Sequence, residues 1–305
     1  MLTSREKIGI ALGVAGATLF GATLPSTRLA VAFFDPLFVS AARAAVAGLL
    51  GLSVLLILRR RLPSRGTIGE LIAAGLCTIV CYPICIAFAL QSVPASHGGV
   101  VLGIVPLATM AAAAILVHER PSLGFWLASI AGSVLVIAFV VRHNEDTTIS
   151  RGDVFLIGAV ITGALGYTLS GRLTAKMPGW EVISWQVALF WPLTFAATAL
   201  LWPSNIASAP ASAWAGLAYV SFVSMYLSFF VFNAAMAMAG VARAGQITLL
   251  QPFVIVALSI PINGEAFEPE TLLFAAAVVG TVIVGQRMGV KRASKANRAP
   301  IMAPD

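Results

Sequence analysis

The chain has 305 residues, 59% of them apolar and only 10% charged, with a formal net charge of +7. A soluble domain carries about 25% charge, and three cysteines in so long a chain cannot form a disulfide scaffold, so both classes are excluded. A mean hydropathy of +0.95 excludes intrinsic disorder, and the basic balance is explained by loop placement rather than by nucleic acid.

A helix needs roughly 20 apolar residues to cross a hydrocarbon core of about 30 Å. Ten stretches meet that need: Ile8–Thr27, Leu37–Leu58, Leu71–Leu90, Gly98–Val117, Phe125–Val141, Val154–Leu173, Val182–Leu201, Trp214–Ala239, Ala244–Ile262 and Leu272–Gly289. Their periodicity is not the alternation of a membrane barrel, and backbone groups in lipid must be paired within the segment, so these are helices. The expected class is an all-α membrane protein of ten transmembrane helices. The fifth and tenth stretches are short, and the eighth is long enough to be tilted or broken.

With ten spans both termini lie on one side. If that side is the cytoplasm, 15 of the 19 Lys and Arg are cytoplasmic, among them Arg59, Arg60, Arg61, Arg65, Arg120, Arg172, Lys176 and Arg287. Only Arg142 and Arg151 then fall outside, which is the positive-inside pattern. Residues 290–305 form a basic cytoplasmic tail that serves as an orientation signal.

An internal repeat is visible. Gly99-x6-Pro106-x12-Glu119 in the fourth stretch recurs as Gly245-x6-Pro252-x12-Glu265 in the ninth, and Gly21-Ala22-Thr23-Leu24 is echoed by Gly166-Tyr167-Thr168-Leu169. The chain thus divides into a five-helix repeat over 1–141, an external linker over 142–153 and a second five-helix repeat over 154–289. Five is odd, so the second repeat enters the membrane from the opposite side. Inverted repeats are a hallmark of secondary transporters, which seat cargo near the midplane between the halves.

Candidate site residues follow from the cost of polar groups in lipid. Arg43 lies about 10 Å inside the second stretch at 1.5 Å per residue, and Arg28 near the outer end of the first. Each is expensive to bury and fitted to bind a carboxylate in a forked geometry. Thr23, Tyr82, His97, Tyr167, Tyr226, Asn233, Gln246 and Gln251 are polar residues within or at the edge of spans, and so candidates for lining a substrate cavity. Pro106 and Pro252 each remove a backbone donor and are expected to break or hinge their helices. Glu119 and Glu265 close the repeated motif on opposite faces, so with Arg28 they are candidates for gating or coupling.

Cys77, Cys81 and Cys85 fall on one helix face, but no His or carboxylate stands near them in the span, so they read as small buried hydrophobes rather than metal ligands. Gly9-x3-Gly13, Ala44-x3-Gly48 and Gly99-x3-Gly103 are spacings that permit close helix packing. No phosphate loop and no His-Glu-x-x-His is present, so neither ATP nor a catalytic zinc is expected, and no cofactor is implied. Few basic residues reach the interior. Strongly anionic cargo is therefore disfavoured, and a zwitterionic or weakly polar metabolite is expected.

The sequence resembles the EamA-type branch of the drug/metabolite transporter superfamily. The resemblance is carried by Phe20-Gly21-Ala22-Thr23 through Arg28, Ser40-Ala41-Ala42-Arg43, Gly99 to Pro106, His118-Glu119-Arg120, Gly245 to Pro252 and Gly264-Glu265. Phe20 stands where many members carry Trp. The resemblance implies a ten-helix carrier in the inner membrane of a bacterium, moving amino acids, related metabolites or drugs, often outward. Its partners are then a small-molecule substrate and membrane lipids, with no nucleic acid, and the chain acts as a monomer or homodimer. The alternatives are a multidrug efflux carrier or a lipid-handling membrane enzyme.

Overall fold

The computed structural model describes residues 4–117, 120–143, 149–174, 176–239, 250–287 and 290–291. Apart from a two-residue antiparallel pairing of Arg120–Pro121 with Val290–Lys291, the described regular structure is helical. In order, α1 (Ser4–Gly21) runs almost straight into α2 (Thr23–Val31), and α3 (Pro36–Ile57) follows. Next, α4 (Arg65–Gly75) continues through a π-helical stretch, Leu76–Cys81, into α5 (Tyr82–Ala89). Then come α6 (Ala95–Leu102), α7 (Val105–Val117), α8 (Leu123–His143), α9 (Arg151–Leu173) and α10 (Gly179–Leu200). A second π-helical stretch, Tyr219–Leu227, joins α11 (Ala211–Ala218) to α12 (Ser228–Ala239), and α13 (Gln251–Asn263) and α14 (Pro269–Arg287) end the described fold.

Among the described residues, seven helical stretches are long and apolar enough to cross a membrane, while 126–139, 251–263 and 269–284 are apolar but shorter, at 10–17 residues. The protein is therefore a helical integral membrane protein, with seven spans of full length among the described residues where ten were expected. Several helices begin earlier than their apolar stretch because the first turn is polar and capped. Asp35 Oδ1 accepts from the backbone N–H groups of Leu37 (2.8 Å) and Phe38 (3.3 Å) ahead of Pro36. Ser150 and Asp153 form a reciprocal capping box that starts α9 at Arg151, a device that satisfies two otherwise orphaned donors. Gly264, at φ +68°, ends α13 in the left-handed conformation that glycine tolerates best.

Helices of the first half pack chiefly on helices of the second. The pairs are α3 on α10, α1 on α12, α2 on α11, α5 on α9, α6 on α13 and α8 on α14. Small residues set the closest crossings. A Cβ at Gly51 would stand 2.4 Å from Val187 Cγ2, and one at Gly216 would stand 2.4 Å from the Ser26 carbonyl oxygen. Of the glycine spacings in the sequence, Gly48 meets Trp191, Gly99 meets Ile255, and Gly103 meets Val278 and Pro252. The outer surface is apolar: Ile130, Val134 and Ile137 of α8, and Val154, Ile157 and Ile161 of α9, are all exposed at helical spacing. Such a surface suits lipid rather than water.

Candidate functional site

The central polar group is built from four elements. Thr23 begins α2, Arg43 lies in the first half of α3, Tyr82 opens α5 after one π-helical stretch, and Ser224 lies inside the other. Arg43 is 4% exposed. Its Nη2 donates to Ser224 Oγ at 3.2 Å, and Ser224 Oγ is 2.8 Å from Thr23 Oγ1. Arg43 Nε is buried with no partner among the described residues. Tyr82 and Tyr167 both lie within electrostatic range of the guanidinium. Tyr167 is 40% exposed. A buried guanidinium with an unpartnered N–H among the described residues, beside two tyrosines, is a donor-rich group of the kind that fixes the polar end of a small ligand.

A second polar group closes one end of the bundle. Glu265, just beyond α13, accepts from the backbone N–H groups of Ala95 (2.7 Å) and Ser96 (3.0 Å) and from Ser96 Oγ (2.5 Å). It thereby satisfies donors at the start of α6, where the helix dipole also favours a negative charge. Arg28 Nη1 pairs with the same carboxylate at 3.4 Å. Two residues on, His97 Nε2 donates to Asp153 Oδ1 at 2.8 Å, while Asp153 Oδ2 accepts from Ser150 N and Oγ. Asn263 Nδ2 donates to the Pro25 carbonyl at 3.0 Å. The Arg142–Glu270 ion pair lies on the same end. At the opposite end Lys176 pairs with Glu70 at 2.7 Å, and Arg60 reaches Glu181 at 3.7 Å and stacks over Trp180.

The structure thus gathers Thr23, Arg43, Tyr82 and Tyr167 and leaves other candidates elsewhere. His97 belongs to the end cluster, beside Asp153 and Phe139. Tyr226 is buried and bonds Ser184 Oγ at 2.9 Å, between α10 and the second π-helical stretch. Gln251 is half-buried at the start of α13. Asn233 lies in α12, with its side chain outside the described residues, as are Gln246 and Glu119 altogether. Pro106 stands just after a break: the helix stops at Leu102, turns through Gly103 and Ile104, and Pro106 is the second residue of the next helix. Pro252 likewise lies in the first turn of α13. Proline suits both places, because the first turn of a helix has no intrahelical use for its N–H.

Cys77 and Cys85 both face α9, against Gly166 and Gly158. Ser224 and Asp153 escaped notice in the sequence. The signals were present: Ser221, Ser224, Tyr226 and Ser228 make an unusually polar run inside an apolar stretch, and Ser150-x2-Asp153 is a capping-box pattern.

The structure is thus a bundle of apolar membrane-spanning helices that buries Arg43 among polar residues. The family model described as the EamA-like transporter family matches the chain twice, over residues 7–142 and 150–285, and the chain belongs to that family, within the drug/metabolite transporter superfamily. It is 36% identical over 241 residues to "Uncharacterized transporter YdeK" of Bacillus subtilis (strain 168), covering 79% of this chain and 84% of that one. A solved crystal structure shares the fold with a TM-score of 0.61 at 18% identity, over 93% of this chain and 98% of that chain.

Proposed function

We propose that the protein is an alternating-access carrier of small carboxylate-bearing metabolites, amino acids and their relatives, working as an exporter or exchanger. The observation that carries this reading is the buried Arg43 with its unpartnered Nε beside Tyr82 and Tyr167. A guanidinium kept in lipid-embedded protein is costly, and one left partly unsatisfied is poised for an anionic group. The two family matches and the pairing of first-half on second-half helices support ten helices in two inverted five-helix repeats, over 1–141 and 154–289. The charge pattern supports cytoplasmic termini in a bacterial inner membrane. On that orientation the Glu265–Arg28 and His97–Asp153 cluster is an external gate, drawn shut.

The test is flux in proteoliposomes with an acid and its decarboxylated analogue side by side. Arg43→Lys keeps charge but loses the planar fork, and Arg43→Gln loses both. Losing a charge-assisted hydrogen bond costs about 1.5–3 kcal/mol, or roughly tenfold to a hundredfold in apparent affinity. The acid is expected to lose this much with Gln and less with Lys, and the amine little with either. An unchanged acid preference in Arg43→Gln would leave Arg43 a structural residue.

A further inference from the structure

An α-amino acid brings two opposite charges into a site, and a buried charge is tolerated only when it is paired. Arg43 answers one of them. Whether anything answers the other is settled by where the carboxylates are. The chain has twelve Asp and Glu, and the seven with described side chains are all engaged, six at helix ends and Glu70 on the exposed side of α4. Asp35 caps α3. Glu70 pairs with Lys176, Glu181 with Arg60 and Glu270 with Arg142. Asp153 holds His97 and Ser150, Glu265 holds Ala95, Ser96 and Arg28, and Glu268 accepts from Thr271.

The other five, Glu6, Glu119, Glu145, Asp146 and Asp305, stand outside the ten apolar stretches in the sequence, and residues 240–249 include Arg243 but no acidic residue. Among the described residues Arg43 hydrogen-bonds Ser224 and forms no ion pair with a carboxylate. The tyrosine rings offer π-faces to a cation, but an ammonium group seated there would also meet the charge of Arg43.

We infer that the seat takes a net monoanion, a small organic acid with one carboxylate and no ammonium group, in preference to a zwitterionic amino acid. The cargo is then the counter-ion that the described residues do not provide for Arg43, and the tyrosine hydroxyls are added donors to its carboxylate. A second negative charge on the cargo would find no second cation in the described seat, so di- and polyanions are rejected as well. This inference rests on Arg43 being the substrate seat, and it narrows the cargo class given above.

The experiment measures dissociation constants on the full-length protein in nanodiscs for two isosteric trios. One is 3-phenylpropionate, phenylalanine and 2-phenylethylamine; the other is 4-methylpentanoate, leucine and 3-methylbutylamine. In each trio the acid is expected to bind about tenfold or more tighter than the amino acid, a single-interaction difference on the affinity scale, with the amine weakest. Arg43→Lys should keep the order, and Arg43→Gln should bring acid and amino acid within about threefold. An amino acid that binds as tightly as its acid, or no binding by either acid, overturns the inference. If the acids are preferred and Arg43→Gln preserves that preference, Arg43 is not the seat, and both the inference and the reading beneath it fail. Amino acids preferred in an Arg43-dependent manner would overturn the inference alone.

Discussion

Ser224 is the residue on which the seat turns. Its hydroxyl accepts from Arg43 and bonds Thr23, so one oxygen ties α2 and α3 of the first half to the π-helical stretch of the second. π-helical turns recur at functional sites because they shift side chains out of the regular helical register. Ser224→Ala should free Arg43 Nη2 and loosen its aim. One neutral-to-charged hydrogen bond of about 1.5 kcal/mol corresponds to roughly tenfold weaker binding of a carboxylate cargo, with expression unchanged. Parental affinity in titrations of Ser224→Ala would show that Ser224 merely packs.

Arg43, Tyr82 and Tyr167 were legible in the sequence because charge and aromatic hydroxyls are conspicuous in apolar runs. Ser224 was not, because serines in such runs commonly bond back to the carbonyl four residues earlier, as Ser40 and Ser221 do here. Another single-residue feature was equally hidden. Arg59 has a φ of 50°, a left-handed conformation that costs a non-glycine residue roughly 1–2 kcal/mol. Arg59→Gly should raise the melting temperature in detergent, offset in part by glycine's greater freedom when unfolded; a lower melting point would contradict the strain.

At the scale of elements, hydropathy located the helices but not their ends. It reads lipid-compatible side chains, whereas ends are decided by caps such as Asp35, Ser150 and Gly264. Hydropathy likewise passes over the break at Gly103 and Ile104, since glycine and isoleucine are both at home in a span; only the repeated Pro106 beside it marks the place. Gly103 matters because a Cβ there would stand 3.2 Å from Val278 Cγ1 and 3.3 Å from Pro252 Cγ. The repeated proline therefore packs against the break in the other repeat's helix. Gly103→Val should press on that contact and slow flux while leaving membrane levels near parental; full flux would argue against movement there.

The cap at the start of α6 can be tested separately. Glu265→Ala removes the acceptor shared by Ala95 and Ser96, and losing a cap costs about 1 kcal/mol. Glu265→Gln keeps an acceptor and should cost less. Calorimetric melts that do not distinguish parent, Gln and Ala would remove Glu265 from this role.

For the molecule as a whole, the repeat motif anticipated that the halves are related, and the two family matches at 7–142 and 150–285 agree with it. How the halves interleave was illegible, because pairing of helices depends on which faces meet in space, as at Gly51 with Val187 and Gly216 with Ser26. On the proposed orientation, cysteine substitutions at Asn205 and Arg61, in a background free of native cysteine, should label from opposite sides. An impermeant thiol reagent on intact cells should reach Asn205→Cys and miss Arg61→Cys. Labelling of both or the reverse pattern would end that topology.

The two ends of the bundle are fastened unequally. His97 and Asp153 are almost wholly buried, with side chains 6% and 2% exposed, whereas Lys176 and Glu70 at the far end are 47% and 37% exposed. Exposed ion pairs contribute little, while on the proposed reading of the His97–Asp153 end as a shut gate each buried polar contact there contributes about 1 kcal/mol net. Two or three of these would hold the resting population near 99 to 1, and cargo arriving at the fastened side would then bind with an apparent dissociation constant about 100-fold higher. On that proposal the carrier would be kinetically lopsided. It would half-saturate at very different concentrations on its two faces, yet the gradient at which net flux stops would be unaltered, because a bias in the empty protein cancels around the closed cycle.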